Sequence, residues 1–177
     1  MSFFRFKVNL KNILLTLILT SFFSSATVIG QPVQEADTIK KLLNDFHQAA
    51  ASADFEAYFG FFNEDAVFMG TDASERWPVK EFKAWCKPHF DRKKTWHFTA
   101  LQRHITLDVS GRLAWFDELL DTQMKICRGS GVLVKQDDGW KISQYVLSMT
   151  IPNEKSDSVI KMKAPLEDEI IEFLKKD

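Results

Sequence analysis

The apolar residues of this chain change period once, and that change limits the folds open to it. Up to about residue 94 they recur at helical spacing; from Thr95 the period moves towards two, as in strands whose side chains alternate between faces. Residues 33–52 place Ile39, Leu42, Leu43, Phe46 and Ala50 on one helical face. Asp54 can cap a second, short helix carrying Phe55, Tyr58, Phe59 and Phe62, which Asn63-Glu64-Asp65 breaks. Ala66 to Met69 reads as a short strand and Gly70 to Glu75 as a polar loop. Pro78 opens a third helix with a buried stripe of Val79, Phe82, Trp85, Cys86 and Phe90, and Lys87-Pro88 bends or interrupts its last turn. Four strands follow, over residues 95–108, 112–124, 128–136 and 140–150. Ser110-Gly111 and Asp137-Asp138-Gly139 mark turns between them. Helices first and strands afterwards indicate an α+β fold, with helices packed on one face of a curved antiparallel sheet.

Residues 1–26 read as an address rather than as structure. Arg5, Lys7 and Lys11 precede the apolar run from Ile13 to Phe23, and Ser24-Ser25-Ala26 supplies the small residues a signal peptidase needs. The run of 11 residues is too short to span a bilayer, which needs roughly 20. Cleavage is expected near Ala26, with Gly30 as the second choice, giving an exported, periplasmic or secreted protein with no stable membrane insertion. No Cys follows the run and no twin-arginine pattern is present. Loss of the leader leaves 20 of the 23 cations against all 24 anions, a net charge of −4, so nucleic acid is not an expected partner. It also leaves 11 of the 16 Phe and all five Trp, which calls for an aromatic interior or cavity. Export exposes Cys86 and Cys127 to an oxidising space; they either pair or stay as buried thiols.

The domain spans residues 33–153. The tail, 154–177, is divided by Pro165, and residues 166–175 form a short amphipathic helix that packs on the domain in preference to meeting a partner.

Asp54-Phe55-Glu56-Ala57-Tyr58-Phe59 with Glu64-Asp65-Ala66-Val67-Phe68 resembles the opening of the nuclear transport factor 2-like (NTF2-like) superfamily. Ala114 to Glu118, Arg128 to Leu133 and Gly139 to Gln144 are similar, in order, to the three final strands of its SnoaL-like branch. The resemblance covers about residues 36–153. It implies a cone, a curved sheet wrapped around three N-terminal helices with an apolar pocket at one end, and frequent homodimers through the sheet. It implies no single reaction, since isomerases, dehydratases, cyclases, adaptors and oligomerisation modules share the fold. Where superfamily members are enzymes, they place a carboxylate or a His–Asp pair in the pocket. Val146 stands where many SnoaL-like relatives carry a polar residue, often His, and this departure weighs against catalysis.

The candidate residues follow from chemistry and position. Asp117 and Glu118 are neighbours in a strand, so one faces in and one out, and apolar residues flank both sides. Asp117 is favoured for the pocket as a base, or as the ion-pair partner of Arg128 across the hairpin. His104 is the second acid–base candidate, and otherwise part of a polar network. Arg128, opening Arg128-Gly129-Ser130-Gly131, suits an acidic ligand or a structural salt bridge; the glycines allow close approach of another group. Tyr58, Trp77 and Asp72 fall where helices and short strand meet the open end. Gln144, on the face of Trp140, Ile142 and Val146, offers a hydrogen bond inside the cone. His47, His89 and His97 are scattered, without ligand spacing, and the sequence implies no metal and no cofactor. Two readings result. One is a binding module for a small, partly apolar ligand. The alternative is a proton-transfer enzyme using Asp117 or His104.

Overall fold

The computed structural model describes residues 31–176. The expected leader and its cleavage point lie outside the described residues. Helix α1 (Gln31–Ala51) buries Ile39, Leu43, Phe46 and Ala50 as its spacing requires, and His47 shares the stripe. Ala53, at φ 54°, turns the chain out of α1. Asp54 then caps α2 (Phe55–Gly60), its carboxylate accepting from the Ala57 N–H at 3.0 Å. Strand β1 (Phe62–Met69) begins four residues before the expected Ala66, because Phe62 leaves the helix and turns into the core. A short strand β2 (Arg76–Pro78) precedes α3 (Val79–Asp91), which buries Phe82, Cys86 and Phe90 and continues past Pro88.

Four long strands complete the sheet: β3 (Thr99–Leu107), β4 (Leu113–Thr122), β5 (Lys125–Gln136) and β6 (Gly139–Met149). Asp137-Asp138 forms the two-residue turn between β5 and β6, with Gly139 at φ 124°. The β4–β5 turn falls at Gln123-Met124, inside the expected second strand. Thr122 closes it, its Oγ1 donating to the Lys125 carbonyl and accepting from the Met124 N–H. No Gly, Pro, Asn or Asp marks that turn in the sequence, which is why it was not legible there.

The sheet is curved and unclosed, with strand order β2-β1-β6-β5-β4-β3. β3 to β6 form the antiparallel meander; β1 adds parallel to β6, and β2 antiparallel to β1. Helix α1 lies against β3 and α2, and α3 against β1 and β2. The space between helices and sheet is filled by rings: Phe46 stacks on Tyr58 at 4.6 Å, and Phe68 lies between Phe82 and Tyr145 at 4.0 and 5.7 Å. At roughly 25 cal/mol per Å² of apolar area, such rings dominate the burial that holds the cone together.

Helix α4 (Ser156–Leu174) runs unbroken through Pro165 and buries none of its residues. The tail therefore differs from the short, packed helix that its sequence suggests. Cys86 and Cys127 are both buried and free, so the expected choice falls to thiols. No helix among the described residues is long and apolar enough to cross a membrane.

Candidate functional site

Two features of the inner face have chemical potential: a buried polar cluster and an aromatic cavity. The cluster centres on Glu118 of β4, whose side chain is wholly buried. Alternation along β4 puts Ala114, Phe116, Glu118 and Leu120 inside, and Asp117 outside. Arg103, the cross-strand partner of Glu118 on β3, donates from Nε to Oε2 at 2.7 Å. Its Nη2 lies 2.6 Å from the same oxygen, outside hydrogen-bond geometry. From α1, His47 Nε2 sits 2.8 Å from Oε1, and the Tyr145 hydroxyl on β6 donates to Oε1 at 3.1 Å. Arg103 Nη1 reaches back to α1, donating to the Lys40 carbonyl and to Asn44 Oδ1.

Burial would raise the Glu118 carboxyl, but the hydrogen bond and charge of His47, with the charge of Arg103, outweigh it and hold the group below its ordinary value of 4.5. Burial also pushes the Tyr145 hydroxyl well above its usual range, with the neighbouring Glu118 charge adding to it. The carboxylate is thus ionised and accepts from His47 Nε2–H. The other ring nitrogen, Nδ1, has no hydrogen bond among the described residues. His47 borders a cavity of about 320 Å³ with Asn44, Gln48, His97 and Phe98.

Gly129 makes the cluster fit. A Cβ there would lie 2.5 Å from Tyr145 Oη and 2.9 Å from Glu118 Oε1. The glycines of Arg128-Gly129-Ser130-Gly131 do admit another group, and at Gly129 that group is the protein's own carboxylate and phenol.

The aromatic cavity, about 160 Å³, lies at the end of the cone. Its rings are Phe68, Trp77, Phe82, Trp85, Trp96 and Phe98, joined by Met124 and Leu147. Trp77 and Trp85 lie 6.0 Å apart, and Trp85 remains 43% exposed. Phe98 borders both cavities. Glu75 is the one charged residue lining the aromatic cavity among the described residues, beside Gly70 and Thr71 of the loop that precedes β2.

The residues expected at a site separate into three groups. Trp77 lines the cavity. Tyr58 is buried in the core against Phe46, where burial raises its hydroxyl well above the usual range. Asp72 is exposed and shapes the loop, its Oδ1 accepting from the Ser74 hydroxyl and N–H, which lower its carboxyl. His104 and Asp117 are cross-strand partners, exposed on the outer face of the sheet with Arg128. Asp117 pairs in register with Ser130, and no ion pair joins it to Arg128 among the described residues. None of the three borders either cavity. Gln144 is turned outward because Ser143 forms a bulge: Val132 faces Gln144 while Leu133 faces Ile142, so Tyr145 and Leu147 take the inner face.

Glu118, His47, Arg103, Glu75, Trp85 and Trp96 were not legible as site residues. Two signals existed. The Asp117 side of β4 also carries Asp121, whereas Glu118 is alone among Ala114, Phe116 and Leu120. His47 lies four residues after Leu43, within the buried stripe.

The family described as SnoaL-like domain matches residues 39–152. No curated protein matches the chain. Among solved structures, the chain is similar to an NTF2-like protein of unknown function from Pseudomonas putida KT2440, at 16% identity and TM-score 0.54, covering 70% of this chain and 91% of that one. A domain of unknown function with a cystatin-like fold from Nostoc punctiforme shares 16% identity and TM-score 0.59, covering 85% and 100%. A protein provisionally named a dehydratase of the NTF2-like family, from Streptomyces avermitilis, shares 15% identity and TM-score 0.56, covering 68% and 99%. These likenesses show the fold.

Proposed function

The chain belongs to the SnoaL-like domain family, and from that premise and the tryptophan-lined cavity we propose that it is an exported module that binds one small, largely apolar ligand without transforming it. The observation that carries this reading is the cavity. Its volume, about 160 Å³, matches the roughly 150 Å³ of an apolar cavity that holds benzene. The polar cluster lies elsewhere. Glu118 already has His47, Arg103 and Tyr145 around it, so its oxygens are occupied in binding α1 to the sheet. The test is titration of the purified protein with benzene, followed by tryptophan fluorescence and calorimetry. One saturable site is expected, lost in Met124→Trp, which fills the cavity. Absence of saturable binding overturns the reading.

His47 supports a second reading, proton transfer at the neighbouring cavity, because Glu118 fixes the ring through Nε2 and leaves Nδ1 without a hydrogen bond among the described residues. That reading requires His47→Gln to abolish a turnover that benzene does not inhibit.

We also propose a homodimer through the outer sheet face, where Leu101, Leu113, Trp115 and Ile126 are exposed. Light scattering should give twice the monomer mass, falling to one in Trp115→Glu; a monomeric wild type rejects it.

A further inference from the structure

The aromatic cavity has a charge bias that a site for neutral apolar ligands would not need. Six rings line it, three of them indoles, and indole faces are the strongest attractors of cations among side chains. The single charged residue in its wall is an acid, Glu75. Its carboxylate is held in place by the loop. A Cβ at Gly70 would lie 2.1 Å from Glu75 Oε2, so only glycine leaves room for the carboxylate to fold over the backbone there. The Asp72 N–H donates to the same oxygen at 3.2 Å, and Asp72 itself is fixed by Ser74. Glu75 has no cation partner among the described residues.

Cation–ring contacts within the protein lie away from this cavity. Lys83 and Lys87 lie over Phe55, Lys83 also over Phe59, and Lys135 over Trp140. None of these contacts involves a ring of the cavity. The cavity thus combines unclaimed rings, an unclaimed carboxylate and space for one compact group.

We propose that the ligand is an alkylated ammonium, a compact organic cation whose methyl groups meet Trp77, Trp85 and Trp96 while its charge is balanced by Glu75. This deepens the binding reading above and rests on it. Alkylation matters because a bare ammonium keeps strong hydration that the rings cannot replace, whereas a methylated one presents a large, weakly hydrated surface.

The test compares choline with 3,3-dimethylbutan-1-ol, its uncharged carbon isostere, by calorimetry on the purified protein. Choline should bind about tenfold more tightly, the scale expected for a cation over several rings beside a carboxylate. In Glu75→Gln choline should lose its advantage over the isostere, with thermal unfolding showing that the variant is folded. Trp85→Leu, at an exposed position, should weaken choline more than the isostere. Equal affinity of the two compounds for the wild type, or a preference that survives Glu75→Gln, overturns the cation assignment and leaves the cavity reading standing. Binding of neither compound, nor of benzene, removes both.

Discussion

His47 Nε2 and Glu118 Oε1 meet at 2.8 Å across 71 residues of sequence, and their contact joins the first helix to the centre of the sheet. Arg103 completes the join from β3 while binding α1 through Lys40 and Asn44. Removing the acid would leave a buried guanidinium without its counter-charge. Glu118→Ala is therefore expected to cost about 3–5 kcal/mol in urea unfolding. Arg103→Ala should cost a similar amount, and the double variant less than the sum. Strict additivity would show that the pair is not coupled.

Acid should expose the same carboxylate. Its value in the folded protein lies below the ordinary 4.5, so its contribution is fully present above about pH 4.5 and is lost as pH falls through the lower, folded value. Unfolding midpoints measured between pH 7 and 3 should decline more steeply at the acid end for wild type than for Glu118→Gln. Parallel curves would contradict the shift.

Glycines 129 and 131 make separate demands. A Cβ at Gly129 meets side-chain atoms, Tyr145 Oη and Glu118, that can give way slightly; one at Gly131 meets the backbone oxygen of Gln144 at 2.2 Å. Both Ala variants should destabilise by at least the 1–3 kcal/mol typical of overpacking, Gly131→Ala more than Gly129→Ala. Thermal unfolding checks the order, and the reverse order would mean that the β5–β6 backbone is more yielding than the polar cluster.

Helix α4 buries no residue, so a chain ending at Pro152 should melt within a degree or two of the full one. A fall of several degrees would show that the tail packs on the domain after all.

The architecture was largely readable because it depends on period. The stripes of α1 and α3, the β5–β6 turn and the meander all express local spacing. The site was less readable because faces depend on one-residue offsets. The bulge at Ser143 reverses Gln144, and the parity of β4 chooses Glu118 over Asp117. His104, Asp117 and Arg128 have suitable chemistry but project to the outside. Trp77 stands outside any periodic stripe, and it does line the cavity. Arg103 and Glu118 face each other within the β3–β4 hairpin, but His47 lies 71 residues before Glu118 and joins them only when α1 closes on the sheet, which no spacing rule anticipates.

Ligand binding requires a hollow among the tryptophans that a small molecule can enter. Diffraction from crystals held under xenon pressure tests this directly. A xenon peak is expected, enclosed by Trp77, Phe82, Trp96, Phe98 and Leu147 and absent in Met124→Trp. Rings closed on one another, with no peak between them, would contradict it.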